Sequence, residues 1–315
     1  MRSAGYTFAI IAGLLMSGCE TKTESTQSTF DRGVIHVSCD ESFRPVIDAQ
    51  VEVYEASFPE TRIKVHYKPE AECLRDFLVD SITMIIATRG FSENERQAIV
   101  DSLLVGPQKL TIAYDAIAVI VHPESPDSLF RMSDIRNMLT SEVLTKKKNK
   151  GAGTKKAIIP VLDGGRATST VRFMIDSVLQ GASLGSHVVA AKNSEGVIDY
   201  VSRTPNAVGF IGVSWVGNHE DPAQRSFLQK VRIARIEARD SADAFVQPVQ
   251  YLIYTKSYPM LRDLVYVLKE RHRGLGHAFA NFLKGERGQL IFKRAYLMPA
   301  LRPFYVRQAE LQEEY

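Results

Sequence analysis

The sequence predicts an α/β protein of two lobes, and two observations carry this prediction. Short apolar runs alternate with segments of helical spacing, which is typical of strands joined by crossover helices. Two apolar runs, Lys109–Pro123 and Ala207–Val216, are longer than an ordinary strand. A strand of that length can run from one lobe into another, so two of them predict a double crossover with a cleft between the lobes.

Residues 1–18 predict a secretory signal peptide. One arginine precedes the apolar run AIIAGLLM, which is too short to cross a bilayer as a helix. The small residues that end at Cys19, in LMSGC, resemble the lipobox of bacterial lipoproteins. That resemblance implies cleavage before Cys19 and a lipid on its sulfur; an ordinary signal peptide before an incidental cysteine is the alternative. Residues 19–32 predict a polar tether with too little apolar surface to fold.

Residues 33–112 predict the first part of lobe 1. An apolar strand is followed by apolar residues at helical spacing, and two further runs with strand character come after it. The predicted elements are, in order, the strand VIHVS, a helix carrying Val46, Ile47, Val51, Tyr54 and Phe58, the strand RIKVHY, the buried strand SITMIIAT and the helix SENERQAIVDSLL. Strands separated by such helices predict parallel pairing through right-handed crossovers.

Residues 113–215 predict lobe 2, and residues 216–315 predict the second part of lobe 1. In lobe 2 we expect, in order, the helix DIRNMLTSEV, the strand AIIPVL, the helices STVRFMIDSVLQG and NSEGVIDYVSRTP, and the strand AVGFIGVSWV. The final part predicts a strand in SADAFVQPVQYLIYTK and helices in YPMLRDLVYVLKERHRG and GHAFANFLKGERGQLIFKRA. The core face of the last segment is predicted to be Leu275, Phe279, Phe282 and Leu283.

Composition and motifs exclude several classes of function. The net charge is +3 over 315 residues, so we expect no nucleic acid partner. The lysine-rich stretch Lys146–Lys156 predicts a solvated loop, with an anion-gathering patch as the alternative. The sequence has no HExxH or GxxxxGK[ST] motif and no cysteine pair with metal spacing. We therefore predict no enzyme, no metal and no cofactor; a phosphate-ester hydrolase would need a nucleophile beside a base.

Small hydroxyl residues stand immediately before two predicted helices that follow strands. Ser42 begins the first helix, and Thr168, Ser169 and Thr170 begin the other. A helix start carries unpaired N–H groups and a partial positive charge, so two converging starts would hold an anion. An arginine beside each site would add charge-assisted donors. For either site alone, ordinary helix capping is the alternative.

These segments resemble the phosphate-binding proteins of bacterial phosphate ABC transporters, over residues 33–303. DESFRPVID resembles the first phosphate loop of that family, and GGRATSTVRF resembles its arginine-then-Ser-Gly-Thr segment. EGVIDYVSRTPNAVGFIGVSW and GQLIFKRAYLMP resemble its return strand and its C-terminal ending. The resemblance implies a type II periplasmic-binding-protein fold, in which each lobe has a central, mostly parallel sheet flanked by helices. The ligand-binding residues that we expect from it are Ser42, Phe43, Thr88, Arg89, Arg166, Thr168, Ser169 and Thr170.

The chain departs from that family at two loops. The family's middle strand ends in an aspartate that accepts the proton of hydrogen phosphate, whereas this strand ends IIATRG, with Thr88 and Arg89. The second loop, usually rich in serine and glycine, is YKPEAECLRD. One hypothesis is that Glu70 or Glu72 takes the acceptor role while Arg89 balances its charge. The other is that the ligand is not phosphate.

The resemblance also bears on two cysteines. The first and second loops meet at the site in this family, so Cys39 and Cys73 would be adjacent. A disulfide between them, in an oxidising compartment, is a hypothesis.

We therefore expect a monomeric binding protein of the periplasm, anchored by lipid to a membrane. It would capture inorganic phosphate, or a related oxyanion, between its lobes and deliver it to an ABC permease. The rival hypothesis keeps the same scaffold for anion sensing or for an interaction within the cell envelope, without transport. Neighbouring genes for a permease and an ATPase would favour the first hypothesis.

Overall fold

The computed structural model describes residues 29–104, 106–141, 157–165 and 167–303. The predicted signal peptide, Cys19, most of the predicted tether, the lysine-rich stretch and Arg166 lie outside the described residues. Among the residues that are described, no helix is long and apolar enough to cross a membrane.

The first lobe begins with three parallel strands joined by helices, as predicted. Its strands alternate with its helices in the order β1 (Gly33–Asp40), α1 (Arg44–Ser57), β2 (Thr61–Lys68), α2 (Glu70–Asp76), β3 (Ile82–Ala87) and α3 (Glu93–Leu103). β1 lies between β2 and β3 and pairs with both in parallel. A single turn of 3₁₀ helix, Glu41–Phe43, joins β1 to α1.

One long strand belongs to both lobes. β4 (Gln108–Val121) pairs antiparallel with β12 (Leu261–Leu268) over its first half and with β8 (Ala207–Gly212) over its second half. Ala116 is the last residue of β4 that faces β12, and Ile117 is the first that faces β8. The prediction that a long strand passes from one lobe into the other is confirmed.

The second lobe is built on the far half of β4. Its elements are β5 (Leu129–Phe130), α4 (Met132–Thr140), β6 (Ile159–Leu162), α5 (Ser169–Phe173), β7 (Val189–Ala190), α6 (Ser194–Arg203), β8, α7 (Pro222–Lys230), β9 (Arg232–Ile233), β10 (Arg235–Glu237) and β11 (Phe245–Val246). α5 continues into one turn of π-helix, Met174–Val178. Across both lobes the described strands follow the order β2-β1-β3-β12-β4-β8-β6-β7.

The chain returns to the first lobe later than residue 216, where the sequence predicted it. β8 pairs with β4 and β6 and stays in the second lobe. β9 then pairs with the far half of β4, and β10 pairs with β5. Strands of two or three residues carry too few apolar positions to be recognised from sequence, which is why this part of the second lobe was missed.

The segment after the return differs from the prediction in secondary structure. Residues 258–274 were expected to be helical, yet they contain β12, the strand at the centre of the sheet. Residues 264–268 are all buried, because a central strand is covered on both faces. Such a run lacks the alternation that identifies a strand. In turn, the predicted strand at 241–256 contains only β11 and the short helix α8 (Gln250–Tyr254).

The last helices complete the core of the first lobe. They are α9 (Leu275–Lys284) and α10 (Glu286–Arg294), and a short strand, β13 (Met298–Pro299), follows and pairs with β4. Leu275, Phe279 and Leu283 are fully buried and Phe282 packs against them, so the predicted core face is confirmed. Tyr54 of α1 meets Phe279 edge to face at 5.3 Å, which fixes α9 against α1.

The hypothesised disulfide is not formed. Cys39 and Cys73 are both buried free thiols. Each thiol has its own backbone acceptor: Cys39 Sγ donates to the carbonyl of Asp40, and Cys73 Sγ donates to that of Lys68.

Candidate functional site

A buried polar cluster lies where β4 crosses between the lobes. Its centre is Arg262 of β12, which faces Asp115 of β4 in register. Arg262 Nε donates to Asp115 Oδ2 at 2.7 Å, and the two side chains are 3% and 0% exposed. We call this group the Arg262 cluster; its members are Asp40, Ser42, Asp115, Asp163, Ser169, Thr170 and Arg262.

The guanidinium of Arg262 connects the strand crossing to the second lobe. Its Nη1 donates to Ser169 Oγ at 2.8 Å and approaches Thr170 Oγ1 at 3.3 Å. The guanidinium Cζ lies over the ring of Phe43, 4.9 Å from the ring centroid. Arg262 Nη2 is buried and has no hydrogen-bond partner. An N–H pair of a charged group is therefore left free inside the cluster, where an anion would satisfy it.

Three hydroxyl groups converge on the same point from two lobes. Ser42 enters from the end of β1, and its Oγ lies 3.4 Å from Ser169 Oγ and 3.3 Å from Asp163 Oδ2. Thr170 Oγ1 donates to Asp163 Oδ2 at 2.7 Å. The carbonyl of Ser42 accepts a hydrogen bond from Trp215 Nε1 at 2.9 Å, which fixes the turn that presents the hydroxyl.

A glycine stands where the end of β8 passes the guanidinium. A Cβ at Gly212 would lie 2.8 Å from Arg262 Nη2 and 3.3 Å from the carbonyl oxygen of Ser42. A contact that short does not occur for a real Cβ, so any side chain here would displace the charged group. Gly212 therefore leaves room for the Nη2 group of Arg262 in its observed position.

The cluster contains more negative than positive groups. Three buried carboxyl groups, those of Asp40, Asp115 and Asp163, surround one guanidinium. Burial raises the pKa of Asp40 to about 7, against the opposing effect of Arg262. Burial likewise raises the pKa of both Asp115 and Asp163 above the ordinary value. One oxygen of each carboxyl group is buried without a hydrogen-bond partner.

A second polar group lies beside the cluster at the ends of β3 and α5. Arg172 Nε donates to Glu70 Oε2 at 2.6 Å, and Arg172 Nη2 donates to Thr88 Oγ1 at 2.7 Å. The Thr88 N–H donates to Glu70 Oε1 at 2.9 Å. Burial acts to raise the pKa of Glu70. The hydrogen bonds and the charge of Arg172, together with the hydrogen bonds from Thr88, outweigh burial and hold the pKa below its usual value. This ion pair joins the first lobe to the second.

Arg89 does not reach either group. Its Nη1 donates to Glu95 Oε2 and to the carbonyl of Gly90, both at 3.0 Å, and the side chain is 36% exposed. Glu95 belongs to the capping box of α3, which holds Arg89 on the surface. The hypothesis that Arg89 balances the charge of a glutamate in the site is wrong, because the arginine that pairs with Glu70 is Arg172.

Two further contacts close the lobes over the cluster. Glu41 Oε2 accepts a hydrogen bond from Ser194 Oγ at 3.2 Å. The N–H of Ala71 donates to the carbonyl of Ala167 at 3.0 Å. The cluster is consequently enclosed by both lobes.

The structure thus brings together only some of the residues expected at the site. Ser42, Ser169 and Thr170 belong to the cluster, and Phe43 lies against its guanidinium. Thr168 is the cap of α5, with its Oγ1 accepting from the Val171 N–H at 3.3 Å. Thr88 belongs to the neighbouring group, Arg89 lies outside both, and Arg166 is outside the described residues.

Sequence reasoning missed the charged members of the site. Asp163 immediately precedes the segment GGRATSTVRF, and Arg172 lies within it on α5, so a search for charged residues around this segment could have found both. Asp115 and Arg262 carried no local signal, because a strand pairing brings them together. Among the described residues no group of three or more His, Cys, Asp or Glu side chains is arranged to hold a metal ion.

Two lobes, a strand shared between them and an enclosed polar cluster at the crossing are features of proteins that bind a solute between two lobes. The family model described as "PBP superfamily domain" matches residues 24–287, and the chain belongs to this superfamily. No curated protein is similar enough to match.

Solved structures show the same fold. A putative phosphate ABC transporter substrate-binding protein with bound phosphate from Clostridium perfringens is 22% identical, with a TM-score of 0.69, over 85% of this chain and 100% of that one. An ABC-type phosphate transport receptor from Vibrio cholerae is 18% identical, with a TM-score of 0.61, over 85% and 100%. A possible phosphate binding protein from Planctomyces limnophilus is 19% identical, with a TM-score of 0.56, over 85% and 93%. The predicted type II periplasmic-binding-protein fold is confirmed.

Proposed function

We propose that this protein captures inorganic phosphate in the Arg262 cluster and delivers it to an ABC permease. The observation that carries the proposal is that the Ser42, Ser169 and Thr170 hydroxyls gather beside the guanidinium of Arg262. Its Nη1 contacts Ser169 and Thr170, Ser42 contacts Ser169, and Nη2 has no hydrogen-bond partner. Hydroxyls and a guanidinium are donors of the kind that a tetrahedral oxyanion accepts. They come from both lobes, so binding would hold the lobes together.

Short hydrogen bonds to a charged group contribute about 1.5–3 kcal/mol each. Four or five of them would supply micromolar binding or better after the cost of desolvation, since micromolar affinity corresponds to about 8 kcal/mol. Phe43 would close the site on the side where its ring lies against the guanidinium of Arg262. Thr168 would position Ser169 and Thr170 by capping α5. Thr88 would act through Arg172, whose ion pair with Glu70 joins the lobes.

The carboxyl group of Asp40 would complete the site. Its pKa of about 7 allows it to donate a proton to an anion or to accept one from a protonated phosphate. Asp40 would thus supply the proton acceptor that the related phosphate-binding proteins have at the end of the middle strand and that β3 of this chain lacks. Glu72 lies on α2, and we assign it no part in the site.

The wider assignment follows the superfamily and the solved structures that are similar to this chain. Two of these are a phosphate ABC transporter substrate-binding protein and an ABC-type phosphate transport receptor, and the first of them holds bound phosphate. We propose a monomer of the periplasm that binds without catalysis and is held to a membrane by a lipid on Cys19. The enclosed form would be the one that a permease recognises.

Calorimetric titration of the chain without its signal and tether tests the proposal. The protein is unfolded and refolded to remove bound ligand, then titrated with phosphate, arsenate and sulfate. We expect phosphate to bind, and Ser169→Ala to weaken it about tenfold or more through the loss of one donor. Arg89→Ala is the matched control, because Arg89 pairs with Glu95 on the surface, and should bind like the unmodified protein. Absence of heat from every anion with the folded protein would contradict the proposal.

A further inference from the structure

Asp163 stands where an anion would stand in the Arg262 cluster. Its Oδ2 accepts hydrogen bonds from Thr170 Oγ1 at 2.7 Å and from Ser42 Oγ at 3.3 Å. These two hydroxyls come from different lobes, and both are donors of the proposed phosphate site. The carboxylate of Asp163 therefore occupies two of the donors that the proposed oxyanion would use.

Asp163 is also poorly neutralised. It is 2% exposed, and its Oδ1 is buried without a hydrogen-bond partner. The nearest cation of the cluster, Arg262, directs its Nε to Asp115 and its Nη1 to hydroxyl groups. The charge of Asp163 in turn helps to raise the pKa of Glu41, after the larger effect of burial. An anion entering the cluster would thus meet a like charge already held by its own ligands.

We infer that Asp163 is an internal competitor for the oxyanion: its carboxylate occupies the Ser42 and Thr170 hydroxyls until the ligand displaces it. The inference rests on the proposed function and deepens it, because it makes Asp163 a residue that sets affinity from within the site. Displacement would break the two hydrogen bonds to Oδ2, whereas Oδ1 has no hydrogen bond to lose. Asp163 then lowers the affinity for phosphate and eases its release.

Two substitutions at one position test the inference. Asp163→Asn removes the charge and keeps the shape, and Asp163→Ala removes both. We expect both variants to bind phosphate about tenfold or more tightly than the unmodified chain, the factor that corresponds to about 1.4 kcal/mol of like-charge repulsion. Asp76→Asn is the matched control, since Asp76 also accepts from a serine hydroxyl, that of Ser38 at 2.7 Å, but lies outside the cluster.

The titrations separate this inference from the proposed function. If the unmodified chain binds phosphate and both Asp163 variants bind it equally or more weakly, the inference is overturned while the function stands. Binding by the variants alone would mean that Asp163 blocks the site, which supports the inference in its strongest form. If no protein binds any oxyanion, both fall. Thermal unfolding of each variant verifies that the titrated protein is folded, and having two variants keeps the test open if one does not fold.

Discussion

Arg262 and Asp115 face each other in register across β12 and β4, joined at 2.7 Å and buried from solvent. They lie 147 positions apart in the sequence. The pair therefore links β12 of the first lobe to β4, the strand that crosses between the lobes. It also directs the remaining N–H groups of the guanidinium into the cluster. Both stability and binding depend on it.

Arg262→Met should destabilise the protein by about 3–5 kcal/mol, because it leaves the Asp115 carboxylate buried and unpaired. Phosphate binding should be lost with it. The double variant Arg262→Met/Asp115→Asn removes the unpaired charge and should recover much of the stability but none of the binding. Urea denaturation and calorimetric titration measure the two effects. Recovery of binding in the double variant would exclude Arg262 as an anion donor.

The Glu70–Arg172 ion pair predicts a loss of stability in acid. The pKa of Glu70 is below its ordinary value of 4.5 in the folded protein. A lowered pKa stabilises the fold above the ordinary value, and that contribution is lost as the pH falls from about 4.5 through the folded-state pKa. Arg172→Met should lower the stability at pH 7 and flatten the decline below pH 4.5. Unfolding free energies at pH 3 to 7 measure this, with Arg96→Met, which breaks a surface ion pair, as the control. Equal pH profiles for all three proteins would contradict the prediction.

The raised pKa of Asp40 predicts that the free energy of unfolding falls as the pH rises, the opposite of the effect of Glu70. Its pKa is raised from 3.8 to about 7 in the folded protein. The folded state then binds more protons than the unfolded state between these values, so stability falls as the pH rises through this window, by at most about 1.4 kcal/mol per pH unit. Asp40→Asn should remove the slope and be the more stable protein at pH 8. Chemical denaturation at pH 5, 6, 7 and 8 tests this, with the exposed Asp80→Asn as the control. An unchanged slope in Asp40→Asn would mean that another group titrates there.

The two buried cysteines should remain unreactive thiols. Burial raises the pKa of Cys73 to about 12 and raises that of Cys39 well above its ordinary value. Because the thiolate is the reactive form, a thiol reagent should not label the native chain without its signal and tether. Unfolding without a reductant should release two reactive thiols. No reactive thiol after unfolding would reveal a disulfide instead.

Local pattern accounts for the parts of the fold that were predicted correctly. The alternation around Ile63 and the helical spacing of Val46, Ile47 and Tyr54 reflect one buried face in each element, and β2 and α1 have that form. The core face of α9 followed from the same principle. β12 was not predicted as a strand, because Val265 and Tyr266 are buried on opposite faces. Its apolar residues therefore lack the alternation with polar residues by which a strand is recognised.

By itself, the sequence determined the two-lobed α/β architecture, the long crossing strand and the hydroxyl groups at Ser42, Ser169 and Thr170, since each depends on a few consecutive residues. Only the tertiary structure decided which charges accompany them. It placed Arg262 in a central strand opposite Asp115, paired Glu70 with Arg172 and left Arg89 on the surface. Ion pairs in a buried site depend on strand register and on contacts between lobes, and those distances are not properties of any local stretch of chain.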